Sequence, residues 1–209
     1  MRLRPPARIL PPEEHALAAR FILIFAGIIA GWAILHDWYL IHVEPRHFTV
    51  YHRPLLPLTN LWLLALQYAF VATVGPGLVF GFLAWCAARG GRRRRPFTLG
   101  PVAGGFAAVI GVAELIILGL GRFSLRRFQA GDGPLYPEWL YPDFTDGIVH
   151  SQSVNLSAYL VAPALGAIYL AAVWLRRPRL ASSDRAYDAL PPRSSAPRPT
   201  TASTPPPAM

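Results

Sequence analysis

Apolar residues in this chain fall into four long runs, each near the length a helix needs to cross the hydrocarbon of a bilayer. The first, Phe21 to Tyr39, reads FILIFAGIIAGWAILHDWY. At ~1.5 Å per residue its roughly 19 residues reach about 28 Å, against a hydrocarbon thickness of ~30 Å. The others cover about Trp62–Ala88, Leu99–Gly121 and Leu156–Leu175. The pattern predicts an all-α integral membrane protein. Its four-helix transmembrane domain would span residues 21–177, between a flank at 1–20 and a tail at 178–209. Pro11-Pro12-Glu13-Glu14 has the form of a helix start, because proline is tolerated in a first turn and acidic residues favour that end. A short interfacial helix is therefore expected to lead into the first span.

Within the runs, small residues and prolines set further expectations. Gly27 and Gly31, four apart in the first span, predict a face for close helix contact, as do the many glycines of the third. Gly75-Pro76-Gly77 interrupts the second span and predicts a kink, since proline removes a donor and crowds the preceding turn. Pro163 is expected to bend the first turns of the fourth span, with Ser153 or Asn155 capping it. The loop after the first span holds Pro45, Pro54 and Pro57, which argue against one continuous helix, and His47–His52 reads as extended or surface-lying chain. From about Leu180 the sequence is dominated by Pro, Ser, Ala and Thr, a composition that buries little and predicts disorder.

Composition agrees with a membrane class. Charged residues make up 15% of the chain, where soluble domains carry about 25%. The net charge is +9, and all 20 basic residues are arginine. Most flank the apolar runs, so they read as topology determinants and contacts for anionic lipid, and not as a nucleic-acid surface. Arg2, Arg4, Arg8 and Arg20 precede the first span, Arg89 and Arg92–Arg95 follow the second, and Arg176, Arg177 and Arg179 follow the fourth. Arginine concentrates on the cytoplasmic side. Both termini are therefore expected in the cytoplasm, in a bacterial inner membrane. Arg122, Arg126 and Arg127 on the opposite side run against the rule and are offset by Asp132, Glu138, Asp143 and Asp146. Cys86 is the single cysteine, which excludes an internal disulfide and a CxxCH haem attachment. The bilayer, together with membrane-protein partners or further copies of the chain, is the expected company.

Candidate chemistry gathers at the outer end. Of six histidines, only His15 falls in the N-terminal flank; His36, His42, His47, His52 and His150 all map outside. Imidazole suits zinc, copper, iron or nickel, so His36, His47, His52 and His150 are candidate ligands for a transition metal or a haem. No helix-spaced metal motif supports them, and an imidazole also suits a membrane interface without any ligand. Glu114, near the middle of the third span, is costly in hydrocarbon and is expected to face the bundle. It is a candidate for proton transfer or cation coordination, and Gln67 and Tyr68, with Thr73, are candidate buried-polar partners for it. His36-Asp37 is the pair to watch, although adjacent residues on a helix do not face each other. Walker and dinucleotide fingerprints are missing, and Ser151 and Ser153 lack an elbow motif.

Three functions fit these residues: a structural or accessory subunit of a membrane complex; an outer-face metal, haem or quinone-linked redox protein; and a small proton- or cation-coupled transporter using Glu114. The topology yields a direct test. In a Cys86→Ala background and sealed cells, Arg93→Cys should resist a membrane-impermeant thiol reagent while Trp139→Cys reacts. The opposite labelling would reverse the orientation.

Overall fold

The computed structural model describes residues 12–52, 55–91, 94–140 and 143–179. It is all-helical, without a named strand among the described residues. Helix α1 spans Pro12–Val43, α2 Arg46–Thr49, α3 Leu61–Arg89, α4 Leu99–Gln129 and α5 Asp146–Arg176, and Glu138–Leu140 forms a 3-10 turn before α5. Four of these, α1, α3, α4 and α5, are long and apolar enough to cross a membrane. The chain is a multi-pass membrane protein. The tail expected to be disordered lies outside the described residues from 180 on, as do residues 1–11 of the N-terminal flank and Arg92 and Arg93 of the arginine run.

The helices overrun the apolar runs because hydropathy counts only the greasy part of each helix. The expected interfacial helix is the first part of α1 itself, which starts at Pro12 and continues unbroken into the span. Asn60 caps α3, its side chain accepting from the amides of Trp62 and Leu63 at 2.9 and 3.2 Å. Helix α5 is capped by Thr145, whose hydroxyl accepts from the Ile148 amide at 3.4 Å. Ser153 and Asn155 therefore do not cap it. They lie well inside, and Pro163 is near mid-helix. The stretch 47–52 is not extended and lies only partly at the surface: His47 and Phe48 sit on the single turn of α2 and are buried, while Thr49 and Val50 are exposed.

Two hairpins make up the bundle, α1 packed along α3 and α4 packed along α5, with sparser contact between them. A stripe of small buried residues on α3, Ala65, Ala69, Thr73, Gly77, Gly81, Ala84 and Ala88, lets α1 approach closely. A Cβ added at Gly77 would stand 2.9 Å from the Cα of Ala26, and one at Gly81 would stand 2.5 Å from the Cα of Ile22. The glycines expected to make this contact do not. A Cβ added at Gly27 or Gly31 would meet nothing within 4 Å, and both residues face outward. The reason is rotational: Phe21, Phe25, Ile29 and Ala33 turn the other side of α1 inward. In the second hairpin Gly105 and Gly121 make the close approaches, to Tyr169 and to Val154.

At the arginine-rich end, Arg177 is buried and donates to the carbonyls of Ala87 at 3.1 Å, Gly90 at 2.5 Å, Arg94 at 3.1 Å and Arg95 at 3.0 Å. Arg94 donates to the Trp174 carbonyl at 2.6 Å. These guanidinium groups satisfy carbonyls at the C-terminal ends of α3 and α5, where the helix dipole is negative.

Gly81→Val should lower stability by about 1–3 kcal/mol through overpacking against the Ile22 backbone. Gly27→Val, on the outward face, should be nearly neutral. Thermal unfolding in mild detergent measures both, and equal tolerance would contradict this α1–α3 contact.

Candidate functional site

A cavity of about 350 Å³ lies between the hairpins, walled by α1, α3 and α5 with contributions from α2 and α4. It is two-ended. Toward the α2 end its wall carries His36, Asp37, His47, His52, Tyr68, Asn155 and Tyr159. Toward the bundle middle the wall is Ile29, Ala33, Phe80, Phe106, Ile110 and Ala162. Side chains follow from helix geometry: Ile29, Ala33, His36 and Asp37 share the inward face of α1, at the 3- and 4-residue spacing of one helix side.

Glu114 does face the bundle, but toward α1. The Trp32 indole Nε1 donates to its Oε2 at 2.8 Å, and the His36 Nδ1 lies 3.0 Å from both carboxylate oxygens. An ionised carboxylate only accepts, so the His36 proton belongs on Nδ1. Gln67, Tyr68 and Thr73 are not its partners. They sit on α3, which barely touches α4. The Gln67 Oε1 accepts instead from the Leu56 amide at 2.8 Å, Thr73 donates back to the Ala69 carbonyl, and the Tyr68 hydroxyl is buried without a hydrogen-bond partner.

The five histidines of this end separate into four groups. His36 is taken by Glu114, and its Nε2 is buried without a partner. His47 and His52 stack with ring centroids 4.5 Å apart; the His52 Nδ1 donates to the His47 carbonyl at 2.7 Å, and the Gln152 amide nitrogen lies 2.7 Å from the His47 Nδ1. Burial, with His52 and His36 beside it, pushes the His47 imidazole down to about 3, so it is neutral. His150 stands apart from the cavity, its Nε2 sharing a 2.8 Å hydrogen bond with the Tyr39 hydroxyl. His42 packs edge-on against Trp38 and Trp62, which also touch each other. Among the described residues no three His, Cys, Asp or Glu side chains gather closely enough to hold one metal ion.

Asp37 is the residue whose surroundings the sequence conceals. It makes no hydrogen bond with His36: both line the cavity, but the His36 Nδ1 is turned to Glu114 on α4. Asp37 is 9% exposed and lines the cavity, and no described side chain hydrogen-bonds or ion-pairs with it.

The roof of the site is a polar clasp. Arg46 donates to Glu44 through Nε at 2.9 Å, to Asp143 at 3.0 Å and to Thr145 at 2.9 Å, tying the loop after α1 to the start of α5. The Arg46 guanidinium holds the buried Glu44 carboxyl below its ordinary range.

Neither a family model, a curated protein nor a solved structure matches the chain.

Removing Glu114 should expose how much this centre contributes. Glu114→Leu leaves the Trp32 Nε1 and His36 Nδ1 unpaired, at about 1–3 kcal/mol each. Glu114→Gln, which can still accept from Trp32, should cost less, and His15→Ala should be silent. Unfolding midpoints rank the three, and a Glu114→Leu protein as stable as wild type would contradict the assigned bonds.

Proposed function

We propose that this membrane protein binds an amphipathic small molecule within the bilayer, the ligand's polar head among His36, Asp37, His52 and Tyr68 and its apolar body along Ile29, Phe80, Phe106 and Ala162. The observation that carries this reading is the two-ended cavity: one wall changes from hydrogen-bonding to hydrocarbon-like along the helix axis. Binding sites for small molecules are largely apolar, with a few converging polar groups. The Tyr68 hydroxyl and the His36 Nε2, both buried without partners, are groups a ligand head would satisfy.

A purely structural subunit has no need of such a cavity. The large outward side chains of α3, including Trp62, Phe70, Leu78 and Phe82, are compatible with a helical partner, but lipid covers them equally well. The pocket favours the ligand-binding reading, and a ligand-bearing subunit of a larger assembly is consistent with it. The arginine distribution supports a bacterial inner-membrane location with the pocket's polar end facing outward.

Filling the pocket tests this. Purified protein should raise the fluorescence of the neutral amphiphile 1-N-phenylnaphthylamine above that of empty micelles. The double variant Ala33→Phe, Ala162→Phe should abolish the increment while retaining the wild-type helical content. An unchanged increment in the filled variant would sink the proposal.

A further inference from the structure

The wall of the cavity between the hairpins holds one acidic group, Asp37, and no arginine. Asp37 supplies a carboxylate that is buried and unpaired among the described residues. Two prolines in the wall add to it. Pro76 in α3 cannot donate to the Ala72 carbonyl, and Pro163 in α5 cannot donate to the Tyr159 carbonyl, so both carbonyls lose their usual i+4 backbone donor. Ala72 and Tyr159 are themselves wall residues. Both helices continue through their prolines, so each keeps a carbonyl short of one backbone donor without opening its backbone. The aromatic side chains Trp32, Phe48, Tyr68, Phe80 and Phe106 complete the wall, and each presents a ring whose face is the negative end of its quadrupole.

Positive charge is scarce in the same space. No arginine lines it. His47 is neutral, and any charge on His36 is matched by the Glu114 carboxylate at 3.0 Å. Ionising a buried carboxyl group that has no counter-charge is expensive in a low-dielectric setting, and a ligand cation removes that cost.

From this we infer that the pocket takes a lipophilic organic cation, an amine, ammonium or phosphonium group on an apolar body, with Asp37 as its counter-ion. The inference rests on the ligand-binding reading of the cavity and adds the charge of the head. Asp37 and the aromatic wall act together: the carboxylate neutralises the cation, and the aromatic side chains surround a group that is too diffuse to demand water. A compact metal cation would meet no set of three ligating side chains among the described residues.

The test compares probes of similar shape and different charge on the full chain in detergent. Equilibrium dialysis would measure tetraphenylphosphonium, neutral triphenylphosphine oxide and anionic tetraphenylborate, each corrected for empty micelles. Wild type should bind the phosphonium at least tenfold more tightly than the oxide, and the borate least. Asp37→Asn should weaken the phosphonium at least tenfold while leaving the oxide unchanged, and Asp37→Glu should retain most of the preference. Equal affinity of wild type for phosphonium and oxide, or phosphonium binding indifferent to Asp37→Asn, would overturn the cationic head and leave the pocket standing. Failure of wild type to bind any of the three would remove both readings. Should Asp37→Asn not fold, the wild-type ranking of the three probes decides alone, with Ala162→Phe locating the site by loss of phosphonium binding.

Discussion

Inside a bilayer, helices gain little from hiding apolar surface from one another, because the lipid is as apolar as they are. What holds them is close van der Waals contact, and that depends on how near two backbones can come. In this protein the requirement is met within each hairpin. Gly77 and Gly81 let α3 touch the backbone of α1, and Gly105 and Gly121 admit the Tyr169 and Val154 side chains of α5 against α4. Between the hairpins Gly166 of α5 admits the Phe80 ring of α3, and the remaining facing residues, Trp32, Phe106 and two prolines, are bulky and leave space beside them. The cavity is the consequence: small residues close two seams, and bulky, kink-prone residues keep a third one open.

That open seam explains how polar groups are tolerated at membrane depth. Glu114 would be costly facing lipid, but Trp32 and His36 each give it a hydrogen bond, and the bundle covers most of the group. Arg177 shows the same logic at the opposite end, where a buried guanidinium is matched to four carbonyls with no carboxylate involved. In both places charge is retained because hydrogen-bond geometry compensates for lost water. Asp37 lacks that compensation, and this sets it apart from Glu114 although the two carboxylates share a neighbourhood.

Helix number and the inward direction of Glu114 are legible in the sequence because each follows from the cost of placing polar groups in hydrocarbon, which is a property of the residue alone. Partnerships are less legible. Gly27 and Gly31 have the spacing of a contact face, but so does the α3 stripe from Ala65 to Ala88, and only the rotation of α1 about its axis decides which is used. Gln67 and Tyr68 are reasonable partners for Glu114 by composition, yet which helices face each other is a matter of topology that hydropathy does not encode. The burial of α2 is hidden by Pro45 and the polar residues around it. The Arg46 clasp, which seats α2, joins residues nearly a hundred positions apart. One signal of the cavity does lie in the sequence: Pro76 and Pro163 fall inside spans, and both line the opening between the hairpins.

The direction of the pocket bears on how a ligand would reach it. Its polar wall is near the helix ends, where a bilayer turns from hydrocarbon to headgroup, and its apolar wall runs toward the bilayer centre. A molecule already oriented in one leaflet, head at the interface and body in the hydrocarbon, would meet a matching gradient without turning over. Lateral entry then exchanges lipid for protein contact at each level, and the only large change in environment falls on the head. The charge of that head is therefore what the site can discriminate most strongly, since the apolar contacts it offers are nearly equalled by lipid. A pocket built this way owes its selectivity to Asp37 and its capacity to the space the prolines and aromatic rings keep open.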